Sequence, residues 1–213
     1  MAELYHLGVD VEAVPSHVLL ASPDFPLADR LTRWDATQVA QRREYSSSVV
    51  DRSGRRILVV TVGVGAPPLA IAVEELTRAG ASAFVLVGTA SGAAAPQVPL
   101  VPAGAVRSEG TTYQYAPTAF PAVPDFPLRA QLRRQLGGRS DAGLVRSVDV
   151  REPTDEHPLV VATDLLCACL FVVAAARRAR AAAVLVDAAA PPGIATAVAE
   201  AALRTLTTDH PDE

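Results

Sequence analysis

The chain has 213 residues, half of them hydrophobic, and a formal net charge of −4. Its length suits one α/β domain, expected over residues 1–213, and its acidic balance argues against nucleic acid as a partner. The first residues form neither a basic segment nor an apolar core, so we expect no secretory signal and a cytoplasmic protein.

Apolar runs and helical periodicity alternate along the chain. The runs that predict buried strands are His17–Ser22, Ile57–Val62, Ala83–Gly88, Val98–Val106, Gly143–Val148 and Ala181–Asp187. The segments with helical periodicity are Leu69–Ala79, Leu128–Leu136, Asp164–Ala176 and Ile194–Leu206. Strands that alternate with helices predict an α/β fold with a mostly parallel sheet covered on both faces. The tail, Thr207–Glu213, is predicted to be solvated and frayed.

The longest apolar stretch, Leu159–Ala176, is long enough to suggest a membrane span. Asp164 near its start and its many alanines favour a buried helix of a soluble fold, so no membrane partner is expected. Cys167 and Cys169 are the only cysteines, and two positions apart on a helix their side chains diverge. We therefore predict reduced, buried thiols and expect neither a metal site nor a cofactor.

A strand, a glycine turn and a helix start follow one another after Ile57. Gly63 and Gly65 allow the backbone to turn sharply and to approach a ligand closely. Pro67 and Pro68 suit the first positions of the helix that follows. Such a helix start can bind an anion or a sugar hydroxyl. Many α/β proteins use the same turn only to pack a helix on a sheet, so the pattern alone leaves ligand binding open.

Several segments, in chain order, resemble motifs of the nucleoside phosphorylase family, most closely its uridine phosphorylase branch. Tyr5–Gly8 is similar to the family's F-H-L-G, and Arg43–Tyr45 to its R-E-F. Thr61–Pro67 is similar to T-G-I-G-G-P, and Ile71–Leu76 to I-A-V-E-E-L. The most specific block resembles V-R-x-D-G, F-A-P and F-P-A-V-A-D-F, and comprises Val106–Gly110, Tyr115–Pro117 and Phe120–Phe126. The resemblance implies a three-layer α/β/α sandwich around a mixed, distorted central sheet.

The resemblance also implies an enzyme in which phosphate attacks the anomeric carbon of a nucleoside. His6 falls on the histidine that reaches the ribose 5′-hydroxyl from a neighbouring subunit, and Thr89 on the threonine that touches phosphate and sugar. An ungapped alignment places Asp164 on the glutamate that binds the ribose hydroxyls. A shift of two residues places Leu166 there instead, and a helix N-terminus also favours a carboxylate at this point, so both alternatives stay open.

The phosphate-binding residues of the family are largely replaced. In the turn that follows the first strand, Asp24 stands for the family's glycine and Ala28 for its arginine. A second arginine of the family falls on Leu86, whereas Arg43, which the adjacent subunit supplies in the family, is retained. Two lost guanidinium groups and an added carboxylate should weaken the binding of a dianion, so phosphate is a doubtful substrate.

The base-recognition residues differ as well. Arg151 replaces the phenylalanine that stacks on the base, while Asp155 and His157 replace the glutamine and arginine that read uracil. Uracil specificity is therefore not expected, and a solvated acidic loop is an equally good interpretation. At the end of the last predicted strand, Asp187 falls on the aspartate that protonates the base in the purine and nucleosidase branches. It is the candidate catalytic residue, with a helix cap or an ordinary loop residue as the alternative.

Two classes of function follow from these residues. The first is an enzyme of glycosyltransferase (pentosyltransferase) or nucleosidase type that cleaves or transfers at the N-glycosidic bond of a nucleoside-like molecule, with impaired use of phosphate. The second is a catalytically silent or repurposed member that acts as a binding or scaffold subunit. Retention of His6, Arg43 and the glycine turn favours the first. In the family, the residues that match His6 and Arg43 serve the site of a neighbouring subunit. The resemblance therefore implies a homo-oligomer with shared sites, either a dimer or a trimer of dimers.

Overall fold

The computed structural model describes residues 2–92, 97–150 and 159–209. The strands are β1 (His17–Ala21), β2 (Thr37–Arg42), β3 (Tyr45–Arg52), β4 (Arg55–Thr61), β5 (Ala83–Ala90), β6 (Gly104–Ser108), β7 (Leu144–Val148), β8 (Val160–Asp164) and β9 (Arg180–Asp187). The α-helices are α1 (Ala28–Arg33), α2 (Ala66–Arg78), α3 (Phe126–Gln135), α4 (Cys167–Ala176) and α5 (Pro192–Thr207).

Two sheets organise these elements. The larger has the strand order β2-β3-β4-β1-β5-β9, in which β3 runs antiparallel to both neighbours and the remaining pairs are parallel. The smaller sheet, β6-β7-β8, is parallel. A backbone bridge links Ser91, directly after β5, to Thr163 of β8 in the smaller sheet, and a second links Leu100, in the connection before β6, to Leu185 of β9. This is the mixed, distorted sheet that the resemblance implied.

The core occupies both faces of the larger sheet. Along β1, Val18 and Leu20 pack in one cluster with α2 and α4, whereas Leu19 and Ala21 pack in another with α3 and α5. The alternation follows from the two-residue period of a strand, whose successive side chains point to opposite faces. Helices therefore cover both faces, which confirms the predicted three-layer α/β/α sandwich.

Most predicted elements form, and the structure differs from the prediction in three places. The hairpin β2–β3 was not predicted because β2 is largely exposed and lacks an apolar run. Only residues 104–106 of the predicted strand Val98–Val106 belong to a strand, β6. The stretch Leu159–Ala176 is not one helix but β8 followed by α4. The Asp164 carboxylate accepts the N–H groups of Leu166, just before α4, and of Cys167, its first residue, and so helps to start the new element.

The structure also tests the predictions about the two cysteines and about a membrane span. Cys167 and Cys169 are free and buried on α4, as predicted. Among the described residues, helices fall short of the length and apolar character that a membrane span needs.

The end of the described chain is anchored rather than frayed. Asp209 is 3% exposed, forms an ion pair with Arg180, and lies 3.1 Å from the Nε2 atom of His17. Arg55 donates to the backbone carbonyl of Asp209, and its guanidinium lies 3.0 Å from His17 Nε2. The predicted frayed tail is therefore wrong for residues 207–209, whereas residues 210–213 lie outside the described residues. This cluster ties the chain to the first residues of β1, β4 and β9.

His17 should make stability depend on pH. Burial and the charge of Arg55, followed by that of Arg180, lower its pKa below 6.5 despite the nearby Asp209 carboxylate. A lowered pKa in the folded state means that the stabilising contribution is complete above about pH 6.5 and declines as the pH falls through the folded-state pKa. In urea unfolding, wild type should lose more stability between pH 7.5 and pH 5 than His17→Gln. Equal losses in the two proteins would contradict this assignment.

Candidate functional site

A cavity of about 50 Å³ lies where several strands end, and it is the candidate site. The ends of β1 and β5, the turn after β4 and the segment after β8 all reach it. Its lining residues are Ser22, Pro23, Asp24, Val64, Gly65, Gly88, Thr89, Asp164, Leu165, Leu166 and Leu185. Ligands of parallel α/β sheets commonly bind at this carboxyl edge. The predicted residues Gly65, Thr89 and Asp164 are thus brought together although they are distant in sequence.

A carboxylate held by two hydroxyls forms one side of the cavity. Ser22 Oγ donates to Asp24 Oδ1 at 2.6 Å, and Thr89 Oγ1 donates to Asp24 Oδ2 in a short hydrogen bond. The sequence identified Asp24 and Thr89 separately but missed Ser22 and the link between them. A Ser-x-Asp spacing after a strand, typical of local side-chain hydrogen bonding, was the available signal. The pair of bonds fixes a negative charge at the position of Thr89.

The glycine turn divides into two parts with different roles. Gly65, with φ of +87°, immediately precedes α2, and Pro67 and Pro68 follow in its first turn as predicted. This backbone conformation is one that glycine adopts without strain, and Gly65 lines the cavity. Gly63 does not line it, because its Cα faces Glu44, whose Cγ would lie 2.6 Å from an added Cβ. A ligand contact by Gly63 stays a prediction.

Asp164 lines the cavity, but its carboxylate is already engaged by the protein. Ser147 Oγ donates to Oδ1 at 2.6 Å, and the N–H groups of Leu166 and Cys167 donate to Oδ2 at 2.9 and 2.6 Å. Burial raises the pKa of Asp164 above its ordinary value, although these hydrogen bonds oppose the shift. The helix-start role left open by the sequence is therefore present, while a contact of Asp164 with ribose stays a prediction.

His6 and Arg43 lie together, and neither lines the cavity. The Arg43 guanidinium is 5.1 Å from the centroid of the Tyr5 ring, which also meets the His6 ring edge-on at 4.8 Å. His6 Nδ1 is 2.6 Å from Glu75 Oε1, and the same carboxylate accepts the backbone N–H of His6 at 3.0 Å. Sequence reasoning missed Glu75, whose signal was an acidic residue on the buried face of a helix. Service to a neighbouring subunit stays a prediction.

The remaining predicted site residues are Asp187 and three residues outside the described ranges. Asp187 ends β9, does not line the cavity, and accepts the N–H of Ala189 at 2.8 Å. This is a contact within the loop that follows β9 and not a helix cap, because α5 begins at Pro192 without a side-chain cap. Its catalytic role stays a prediction. Arg151, Asp155 and His157 lie outside the described residues. Within the described ranges, no group of three or more His, Cys, Asp or Glu side chains could hold a metal ion.

Arg107 shapes the connection that follows β6. Its guanidinium donates to the carbonyl oxygens of Ala116, Pro117 and Phe120 and to the hydroxyl of Thr112. One half-buried guanidinium group therefore holds several carbonyl groups of this loop in place, within the block that resembles the family most specifically.

Comparisons with curated proteins show the chain's relationships. No family model matches the chain. Uridine phosphorylase from Treponema pallidum is 31% identical over 208 residues, covering 85% of this chain and 80% of that protein. Uridine phosphorylase from Klebsiella aerogenes is 30% identical over 168 residues, covering 73% of this chain but only 65% of its own length. Guanosine phosphorylase from Halorubrum lacusprofundi is 35% identical over 138 residues, covering 62% of this chain and 56% of that protein.

Solved structures extend the likeness to the whole chain. Uridine phosphorylase from Vibrio fischeri ES114 matches with a TM-score of 0.86 and 27% identity, covering 98% of this chain and 99% of that chain. A structure of the Vibrio fischeri protein complexed with 6-hydroxy-1-naphthoic acid has a TM-score of 0.78, also at 27% identity, covering 96% of this chain and 92% of that one. The fold likeness therefore includes the C-terminal third, where motif resemblance was loose.

Proposed function

Because this chain belongs to the nucleoside phosphorylase family, we propose that its cavity binds a nucleoside and cleaves the N-glycosidic bond, with phosphate a poor co-substrate. The carrying observation is the Asp24 carboxylate, which accepts hydrogen bonds from both Ser22 and Thr89. The hydroxyl of Thr89, which the resemblance implies would bind phosphate, is thus already donated to a carboxylate of the protein itself.

The charges around the cavity support poor use of phosphate. A phosphate oxygen at Thr89 would have to compete with Asp24 for the hydroxyl and would lie beside its negative charge. None of the described residues that line the cavity is cationic, so nothing among them offsets the repulsion. Phosphate sites normally rely on Arg, Lys or several backbone N–H groups.

A sugar suits the same surface better than a dianion does. Ribose hydroxyls can donate to Asp24, while the ring carbons can pack against Leu166 and Leu185. The cavity of about 50 Å³ accommodates only part of a nucleoside, so the rest must extend through its opening. We propose that His6 and Arg43 of a neighbouring subunit, in a homo-oligomer, complete the site.

Phosphate dependence tests this function directly. Purified protein is incubated with a panel of purine and pyrimidine nucleosides, with and without phosphate, and free base is measured by chromatography. We expect saturating phosphate to raise base release by less than about tenfold in wild type, and Asp24→Gly to increase the phosphate-dependent rate by at least about tenfold, because the competing carboxylate is gone.

The control is Asp29→Asn, which alters an exposed carboxylate on α1 outside the cavity and should behave as wild type. Strictly phosphate-dependent release by wild type at about 1 s⁻¹ or faster would contradict impaired phosphate use.

The structure also favours a second candidate, a catalytically silent binding or scaffold subunit. Both carboxylates of the described cavity, Asp24 and Asp164, already accept hydrogen bonds from the protein itself. Absence of base release from every nucleoside, together with no thermal shift on adding them, would support this candidate over the enzyme.

A further inference from the structure

We propose that Asp24 is the base that takes a proton from a water molecule attacking the anomeric carbon, so that the cavity hydrolyses nucleosides. This inference rests on the proposed function, because it requires a nucleoside in the cavity. It adds the identity of the nucleophile and the residue that activates it.

Asp24 is held in one orientation and keeps capacity for another hydrogen bond. Ser22 engages Oδ1 and Thr89 engages Oδ2, and these partners come from the ends of two adjacent parallel strands, β1 and β5. A carboxylate has about four acceptor positions, so each oxygen can still accept a proton donor after these two bonds. The side chain is exposed and lines the cavity, where a water molecule can reach it.

The cavity has the size and polarity that water requires. About 50 Å³ provides room for about three to five water molecules, given the roughly 10–15 Å³ that each needs on this measure. Polar partners for water are the hydroxyls of Ser22 and Thr89 and the carboxylate of Asp24, and Leu166 and Leu185 add apolar surface to the same lining. Water is neutral, so the carboxylate that repels phosphate attracts the hydrogens of a water molecule.

The chemical step balances without any further reactant. The water oxygen forms a bond to C1′ as the bond from C1′ to the base nitrogen breaks, and the bonding electron pair leaves with the base. One water proton passes to Asp24 and from there to solvent, while the departing base takes a proton from solvent. The products are free base and ribose. Ser22 and Thr89 are positioning residues, since they act through Asp24.

Uridine and guanosine serve as probes, in buffer free of phosphate. Binding is followed by thermal shift, base by chromatography, and the sugar product by a reducing-sugar assay. We expect base and free ribose in equal amounts. Asp24→Asn should lower kcat by about 100-fold or more, which is the usual contribution of a general base. The nucleoside should still shift the melting temperature, because the Asn amide oxygen can accept a ribose hydroxyl but cannot take a proton from water. Asp29→Asn, checked in parallel for folding by circular dichroism, should retain the wild-type rate.

Each contrary result has a distinct meaning. Base release only after phosphate is added would overturn the role of water while leaving N-glycosidic cleavage in place. Phosphate-independent release that survives Asp24→Asn would overturn the role of Asp24. Binding of uridine or guanosine without release under either condition would overturn this inference and the catalytic part of the proposed function together, but leave nucleoside binding.

Discussion

Replacing Asp164 with alanine is expected to lower the free energy of unfolding by about 4 kcal/mol. The substitution removes the acceptor of three hydrogen bonds, from the Ser147 hydroxyl and the N–H groups of Leu166 and Cys167, at a residue that is 4% exposed. Each buried donor left without an acceptor costs about 1–3 kcal/mol. Urea unfolding at pH 7 measures the change, and a loss below about 1 kcal/mol would contradict the capping role.

Two matched variants separate this structural role from a contact with ribose. Asp164→Asn retains one carbonyl oxygen and should cost about half as much. Ser147→Ala removes one hydrogen bond to Asp164, and the acceptor of the Ala168 N–H, without altering a residue that lines the cavity. If Asp164 also binds ribose, Asp164→Asn should raise the KM for nucleoside more than Ser147→Ala does. Equal KM values would leave Asp164 with the capping role alone.

Replacing Asp209 with alanine is expected to cost about 3 kcal/mol and to lower Tm by about 6–12 °C. The change leaves Arg180 and His17, the first residues of β9 and β1, without the carboxylate that they share. Although burial alone would raise the pKa of Asp209, the hydrogen bond and charge of Arg180 lower it overall. A lowered carboxyl pKa contributes stability above about pH 4 that disappears as the pH falls through the folded-state value, so the difference between variant and wild type should shrink in acid.

The control for Asp209 is another aspartate paired with arginine, but on the surface. The Asp51 side chain is 66% exposed and lies 3.2 Å from the Arg56 guanidinium, so Asp51→Ala should change stability by no more than about 0.5 kcal/mol. Calorimetric scans of both variants compare them. If Asp209→Ala melted as Asp51→Ala does, the buried cluster would not be what anchors the end of the chain.

The elements that the sequence predicted well are those whose signals are local. The helix start at Pro67 and Pro68 and the buried strand before it depend on neighbouring residues, and both occur as expected. The strand β2 escaped prediction because its stability comes from pairing with β3 rather than from burial of its own side chains. The residues of β8 were predicted as part of a helix, because the periodicity of a short apolar run does not distinguish a buried strand from a buried helix.

The sequence by itself determined the α/β class and the family resemblance, because periodicity and motif order are properties of the chain. Only the tertiary structure decided that Asp24 accepts the hydroxyl of Thr89, that Asp164 accepts the hydroxyl of Ser147, and that Asp209 is buried. Each of these depends on partners contributed by different strand ends or chain segments. A buried carboxylate is stable only when hydrogen-bond donors and positive charges surround it, and the fold alone brings those groups together.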